Sequence, residues 1–505
     1  MKTLSTLGIS LSLFLVALSA GAQVVGDADL PPVPPQPPAD QSEVVRENIV
    51  QDSIVQDADV YAPITMASSA ASCDCDAGCC TCCDRKRAAK KAATAYKGVF
   101  YNNDFSYMCD PCYDGCYLGD HFKNICVGCN GHLDIGGQWR LRYHHEEGMK
   151  GTRFQPNTDD FLLNRVRLYA DYEMNDIFRF YVEGIYADSY GEDFPPRGID
   201  VNNGDFLNAF VDARFNCGDT TLRFGRQELL YGAQRTVSPL DWSNTRRTFE
   251  GAKLMHNVGD WSIDAFFTHY VQVDPNDLDE ADYDQPFYGT YATYKGCGNS
   301  TLDLYYLGYD NKVSAFSLHT FGARMYGSHY ENWLYEIEAA YQAGDAAGIN
   351  TGSQSEGFAT VGLGREMPCL CWKPTLWLYM DYASENYNHL FPLAHKYLGF
   401  IDAVQRTNVL APNVLLKMSP TKKLDLLVWY YHFQSVGAGP IPSIGGTPAQ
   451  SAVTHYGDEV DLLATYKINA RNKLLFGYSY FWKGDKINDP SNDADFFYTE
   501  WTFNF

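Results

Sequence analysis

The stretch DFFYTEWTFNF, residues 495–505, decides the fold class. Its side chains alternate between an aromatic-rich face and a polar face, which are Phe497, Thr499, Trp501, Phe503 and Phe505 against Tyr498, Glu500, Thr502 and Asn504. Successive side chains of a β-strand point to opposite faces, so the pattern predicts a strand. Such a strand suits a sheet that separates an apolar environment from a polar one.

The two ends of the sequence carry signals for export and assembly. The final strand ends in Phe505 and resembles the assembly signal of bacterial outer-membrane barrels, which would make the barrel-assembly machinery a partner. The first residues combine a basic start, an apolar stretch from Ile9 to Ala20 and small residues up to position 22. This is the pattern of a secretory signal peptide. We therefore expect residues 1–22 to be removed and the mature protein to lie outside the cytoplasm.

The same alternation recurs from His132 to Phe505 in segments broken by clusters of Gly, Asn, Asp and Pro. A soluble sandwich would also alternate, with its apolar face inward. Charges in a narrow row on the polar face, and aromatic residues at the segment ends, favour a transmembrane barrel instead. The sheet must close, because an open edge in lipid would leave backbone groups unpaired. We predict an all-β fold, an antiparallel barrel of about 18 strands over residues 132–505.

The chain before the barrel divides into two segments of different composition. Residues 23–72 are predicted to be a Pro-rich and polar linker, in which residues 40–60 could form a short helix. Residues 73–131 are predicted to be Cys-rich and mostly irregular, since 11 of the 15 cysteines lie there. Two CxxC pairs match a zinc-ribbon spacing, namely Cys109, Cys112, Cys126 and Cys129. Outside the cytoplasm we favour disulfides over a metal, and we expect no cofactor.

Arginine is concentrated in the first part of the predicted barrel, where 13 of the 20 arginines lie between Arg140 and Arg247. Those on polar strand faces are Arg140, Arg142, Arg165, Arg167, Arg179 and Arg223. An Arg on the lipid face costs about 2–4 kcal/mol near the midplane, so these side chains should point into the lumen. Confined guanidinium groups attract carboxylates and phosphates and can make a pore anion-selective. The alternative is charge-balanced packing with Asp171, Glu173, Glu183 and Asp212 on the same faces.

Residues 222–254 contain a motif with many positions in fixed register, namely Gly225-Arg226-Gln227, Tyr231-Gly232, Gln234-Arg235, Asp241-Trp242, Asn244, Arg247-Thr248-Phe249 and Gly251. A second motif consists of Phe391-Pro392, His395, Tyr397, Gly399-Phe400, Asp402 and Asn408. These two motifs resemble the alginate-export family of outer-membrane barrels. The resemblance covers roughly residues 134–505 and implies an eighteen-stranded barrel with an arginine-lined constriction. It also implies that Arg226, Arg235, Arg246 and Arg247 belong to the constriction or its loop, and that Asp241 pairs with one of them.

A passive outer-membrane channel for anionic solutes is the function these features favour, with export of an anionic polysaccharide such as alginate as its narrower form. Lipid, lipopolysaccharide and the solute are the expected partners, and the N-terminal segment should lie in the periplasm. A net charge of −23 speaks against nucleic acid as a partner. No motif for a nucleophile or a phosphate-binding loop occurs, so we do not expect an enzyme. Two alternatives are a general diffusion porin, and a sealed barrel that anchors the Cys-rich segment to a periplasmic partner.

Overall fold

The computed structural model describes residues 82–505 except 114, 116, 129, 151–153, 331, 346–352, 439–452 and 488–491. The predicted signal peptide, the linker with its candidate short helix and the first cysteines up to residue 80 lie outside the described residues. Within the described ranges, no helix is both long enough and apolar enough to cross a membrane.

One antiparallel sheet contains the strands of the described residues. They are β1 (Ile125–Val127), β2 (Gly131–Glu147), β3 (Thr158–Met174), β4 (Phe178–Tyr190), β5 (Asn202–Phe215), β6 (Thr220–Gln227), β7 (Phe249–Val258), β8 (Trp261–Gln272), β9 (Glu280–Cys297), β10 (Ser300–Asn311), β11 (Phe316–His329), β12 (Trp333–Asp345), β13 (Ser353–Glu366), β14 (Thr375–Ala383), β15 (Val409–Met418), β16 (Leu424–Gln434), β17 (His455–Lys467), β18 (Asn472–Lys483) and β19 (Ala494–Asn504). A helix, α1 (Cys82–Ala93), precedes them.

Strands β2 to β19 form a closed barrel. Each strand pairs with its neighbours in the sequence, and β19 returns to pair with β2 from Gln138–Asn504 to Glu147–Asp495. The short β1 pairs with the first residues of β2, Gly131 to Leu133. Closure gives every strand two partners, as a sheet in lipid requires. The prediction of an antiparallel barrel of about 18 strands is confirmed.

The wall has an apolar outer face and a polar inner face. Leu168 in β3 and Phe224 in β6 are 55% and 70% exposed on the outside. Arg165 and Arg167, which alternate with such residues in β3, are each 1% exposed on the inside. Polar groups thus leave the lipid-facing surface and collect in the lumen, which a barrel of this size is too wide to fill with wall side chains alone.

Connections differ in length between the two ends of the barrel. One end, here the short-turn end, carries turns such as residues 175–177, 259–260 and 298–299. The opposite end carries longer loops, of which residues 228–248 and 384–408 are the longest between strands in the described ranges. We call them the first and second lumen loops, because most of their residues are buried against inward-facing wall side chains.

The two lumen loops pack against each other inside the barrel. Leu393 N–H donates to the Gln234 carbonyl at 2.7 Å, and the Tyr397 hydroxyl donates to the Ala233 carbonyl at 2.6 Å. Phe391 packs edge-on against the inward ring of Phe287 with centroids 4.9 Å apart. These contacts give the lumen a core of its own, built from loop backbone and aromatic side chains.

The lipid-facing wall provides a test of the architecture. Leu168→Arg, at an outward position within β3, should lower the free energy of unfolding from lipid vesicles by about 2–4 kcal/mol, because a guanidinium there must be placed in hydrocarbon. Val258→Arg, at the outward end of β7, is the matched control and should cost no more than about 1 kcal/mol. Denaturant titration in vesicles measures both variants. Equal costs at the two positions would contradict the assignment of this face to lipid.

Candidate functional site

Three arginines of neighbouring strands converge on one turn of the first lumen loop. Arg140 on β2 donates to the carbonyl oxygens of Asp241, Trp242 and Ser243 at 2.7, 3.1 and 3.2 Å. Arg142 donates to the Trp242 carbonyl at 3.0 Å. Arg165 on β3 donates to the Asp241 and Ser243 carbonyls at 2.9 and 3.1 Å. Period-two alternation places all three guanidinium groups on the inner face, where the turn carbonyls meet them.

Carboxylates balance most of this positive charge. Asp241 accepts from Arg165 at 2.8 Å and also from Arg246. Glu500 on β19 lies 3.7 Å from both Arg140 and Arg142, further than a hydrogen bond. Arg167 and Arg246 pair with the buried acids Glu183 and Glu228. The cluster therefore holds five arginines and four carboxylates, which leaves one excess positive charge.

Several buried N–H groups of these arginines have no hydrogen-bond partner among the described residues. They are Arg140 Nε, Arg142 Nε, Arg142 Nη1, Arg165 Nε and Arg167 Nη2. The Arg142 guanidinium instead lies 3.3 Å from the centre of the Trp242 ring. A buried donor without a partner costs about 1–3 kcal/mol or more when charged, so these groups favour an additional acceptor.

The remaining residues predicted for the site lie in other parts of the lumen. Arg179 pairs with Asp171 at the start of β4, and Arg223 pairs bidentately with Asp212 at 2.7 and 2.8 Å. Arg235 reaches the far wall, where Glu336 and Glu338 on β12 each accept from it at 2.7 Å. Two further residues do not join the central cluster: Arg226 bonds to the Asp279 carbonyl at 2.6 Å, and Arg247 to the Pro392 carbonyl at 3.3 Å.

Some residues of the cluster were not predicted from the sequence. Glu228 and Glu500 complete it from the first lumen loop and the last strand. Outside the cluster, the second lumen loop contributes Arg406, which was not predicted either and pairs with Asp381 on β14 at 2.8 Å. The second motif match, from Phe391 to Asn408, is the sequence signal that marks this loop. Nothing in the spacing of Glu500 linked it to Arg140.

The cysteine pairs that could hold a metal are only partly described. Cys112 is disulfide-bonded, and Cys109 Sγ accepts from Asn124 Nδ2 at 2.9 Å. Among the described residues, one other group could hold a metal ion, namely His432, His455 and Asp458. Asp458 already bonds both imidazoles, at 2.8 and 3.0 Å. We assign no metal to either place.

Loop residues in the lumen titrate away from their ordinary ranges. Burial, reinforced by Arg142, holds the pKa of His395 well below its usual value, so this ring stays neutral beside Asp402. Burial likewise lowers the pKa of His389 to about 3. Burial raises the pKa of Asp279, at the loop end of the barrel, to about 6. The two histidines therefore add no charge to the lumen at neutral pH.

A closed antiparallel barrel with an apolar outer wall, a polar lumen and loops folded into it has the architecture of an outer-membrane channel protein. The model of the family described as alginate export matches residues 132–496, so the chain belongs to the alginate-export family. The prediction of that family is confirmed. None of the curated proteins compared with the chain is significantly similar to it.

Solved structures of proteins from Pseudomonas aeruginosa share the barrel fold of this chain. The outer-membrane protein OpdK has 12% sequence identity and a TM-score of 0.54, covering 74% of this chain and 98% of its own. OccK8 (OprE) has 12% identity and a TM-score of 0.53, with the same coverage of 74% and 98%. OprD has 10% identity and a TM-score of 0.50, covering 74% and 93%. At these identities the likeness concerns the fold alone.

The pair between Arg165 and Asp241 should hold the first lumen loop against the wall. A double-mutant cycle with Arg165→Gln and Asp241→Asn should give a coupling energy of about 0.5–3 kcal/mol in the free energy of unfolding. The exposed pair Lys312–Asp284 is the matched control, and K312Q with D284N should couple by less than about 1 kcal/mol. A coupling at Arg165–Asp241 no larger than the control's would show that the buried pair does not hold the loop.

Proposed function

We propose that this protein is a passive channel for anionic solutes, and that an anionic polysaccharide such as alginate is its narrower substrate class. The observation that carries the proposal is the convergence of Arg140, Arg142 and Arg165 on three consecutive carbonyl oxygens. Neutral carbonyls stand there in the positions that the oxygens of a carboxylate would take. The guanidinium N–H groups that have no hydrogen-bond partner in the described part of the chain, and the one excess positive charge of the cluster, support the same class of ligand.

Passage requires the carboxylate oxygens of the solute to replace the carbonyl oxygens of the turn as acceptors for the arginines. A carboxylate offers a guanidinium a full negative charge and two oxygens in bidentate geometry, neither of which a single neutral carbonyl provides. A solute with carboxylates at intervals could therefore displace the turn at residues 241–243 and move from one arginine to the next. Arg167, Arg223 and Arg179 continue the row toward the short-turn end, each beside its own carboxylate. Those acids keep binding weak enough for release.

The orientation of the barrel follows from its connections. Outer-membrane barrels have short turns on the periplasmic side and longer loops outside. We place the short-turn end and the N-terminal segment in the periplasm, with the lumen loops entering from the cell surface. The final strand, β19, is then the one we expect the barrel-assembly machinery to recognise.

A sealed barrel that anchors a periplasmic segment is the second candidate. Its supporting observation is the packed lumen, where both lumen loops and wall side chains form a buried core. A sealed barrel would have no use for guanidinium N–H groups that lack a hydrogen-bond partner among the described residues, which is the reason we rank it second.

Ion selectivity separates these candidates. The protein in a planar bilayer under a KCl gradient should show a reversal potential of the sign that anion flow produces, and a uronate oligomer should block the current. Arg140→Gln, Arg142→Gln and Arg165→Gln together should move that potential toward the cation side, because the row loses three positive charges. Arg365→Gln, at the short-turn end of β13, is the matched control and should leave it unchanged.

Each other result has a definite meaning. A selectivity that the triple variant does not alter would remove the arginines from the function. A wild-type current that the uronate oligomer does not block would favour a general diffusion porin. The absence of current at any voltage would favour the sealed anchor.

A further inference from the structure

The part of the chain just before the barrel lies inside it. Residues 94–107, here the plug segment, follow α1 and enter the lumen from the short-turn end. Phe100 and Tyr101 are buried against the inward rings Tyr169, Tyr181 and Phe210. Tyr101 reaches furthest, since its hydroxyl donates to the Glu228 carbonyl of the first lumen loop at 2.5 Å.

The plug segment contacts four arginines of the lumen, and each contact uses either a ring face or a carbonyl oxygen. The Phe100 ring lies 3.9 Å from the Arg167 guanidinium, and the Tyr101 ring lies 4.3 Å from that of Arg223. Two carbonyls complete the set. The Tyr101 carbonyl accepts from Arg179 at 2.7 Å, and the Gly98 carbonyl accepts from Arg246 at 2.9 Å.

An acid whose carboxylate is attached to a ring would satisfy the same groups. Arginine binds carboxylates through its N–H fork and stacks on ring faces, as it does here with carbonyls and phenyl rings. Beside Tyr101, the rings of Tyr181 and Phe210 are stacked on each other with centroids 5.1 Å apart. Aromatic carboxylates and uronic acids both present an oxygen pair next to a ring.

We propose that residues 98–101 are a tethered occupant of a binding site for ring-bearing carboxylates, and that their presence closes the channel at the short-turn end. This inference rests on the proposed anion channel and adds its regulation and its ligand class. Withdrawal breaks none of the pairings between β2 and β19, because the plug segment precedes β1 and pairs with no strand of the barrel. Displacement by an incoming acid therefore opens the site without opening the wall.

The same end of the chain also has a firm anchor outside the lumen. Arg471, in the turn before β18, donates to the Ala92 carbonyl at 2.9 Å and to the Tyr107 hydroxyl. Lys123 donates to the carbonyl of Phe505 at 3.3 Å. These contacts hold both flanks of the plug segment at the rim, so residues 98–101 can leave and return locally.

Photocrosslinking tests the placement in the full-length protein in vesicles. p-Benzoylphenylalanine in place of Phe100 should crosslink to the β3 peptide that carries Tyr169, whose ring centre lies 5.6 Å from that of Phe100. The same residue in place of Phe122, which is 55% exposed, is the control and should give no crosslink to β3. Crosslinks from position 100 to other peptides alone would overturn the proposal.

Conductance tests the closure. Phe100→Ala with Tyr101→Ala should raise the open fraction by about tenfold or more, because two ring contacts with guanidinium groups are lost. Leu118→Ala with Phe122→Ala, at two exposed apolar side chains of the same region, should behave as wild type. If the double variant has the open fraction of wild type and position 100 still crosslinks to β3, the plug segment permanently fills the lumen. That result would overturn the proposal that it acts as a gate. A raised but cation-selective current would keep the gate and overturn the anion channel.

Competition tests the ligand class. A galacturonate trisaccharide should reduce the yield of the crosslink from position 100 to β3, and the neutral trisaccharide maltotriose should not. Equal effects of the two sugars would overturn the assignment to ring-bearing carboxylates while leaving the plug in place.

Discussion

Alternation of side chains within a closed ring is the constraint on which this structure depends. Every strand of the wall has one face in lipid, so charged side chains near the middle of the membrane are favoured on the lumen side. The chain places many of its arginines in β2 to β6, and these guanidinium groups meet one another inside the barrel. Buried arginines need acceptors, and beside Arg140 and Arg142 the wall supplies one carboxylate among the described residues, Glu500. The first lumen loop supplies carbonyls, Asp241 and Glu228, and its packing follows from that need.

The electrostatic arrangement is a compromise between stability and passage. Ion pairs such as Arg167–Glu183, at 2.7 Å, remove most of the cost of burying charge. Complete pairing would leave nothing for a solute to bind. At Arg142 the pairing is incomplete, since Glu500 is 3.7 Å away and two nitrogens have no hydrogen-bond partner among the described residues. A site of this kind is stable when empty and still has free donors for an incoming anion.

Local features of this fold can be predicted from the sequence, whereas contacts between residues far apart in the chain cannot. The strand pattern and the inward direction of Arg165 follow from a period of two residues, which any short window shows. The turn carbonyls of residues 241–243 left no signal, because every residue has a carbonyl. The sequence places Glu500 on a polar strand face, but its position beside Arg140 depends on the pairing of β19 with β2. No sequence pattern marks Phe100 and Tyr101, which lie in a segment whose composition is dominated by cysteines.

The position of Tyr101 has a topological consequence for folding. Tyr101 comes before every strand in the sequence, yet it lies within a ring that is completed only by the last of them, β19. Both lumen loops enter from the opposite end of the barrel, so Tyr101 can enter or leave the lumen only through the short-turn end. The early residues must either wait beside the unfinished sheet and be enclosed, or thread in after the seam forms. Withdrawal through the short-turn mouth, by contrast, breaks no strand pairing, so Tyr101 can leave the finished barrel whichever way it entered.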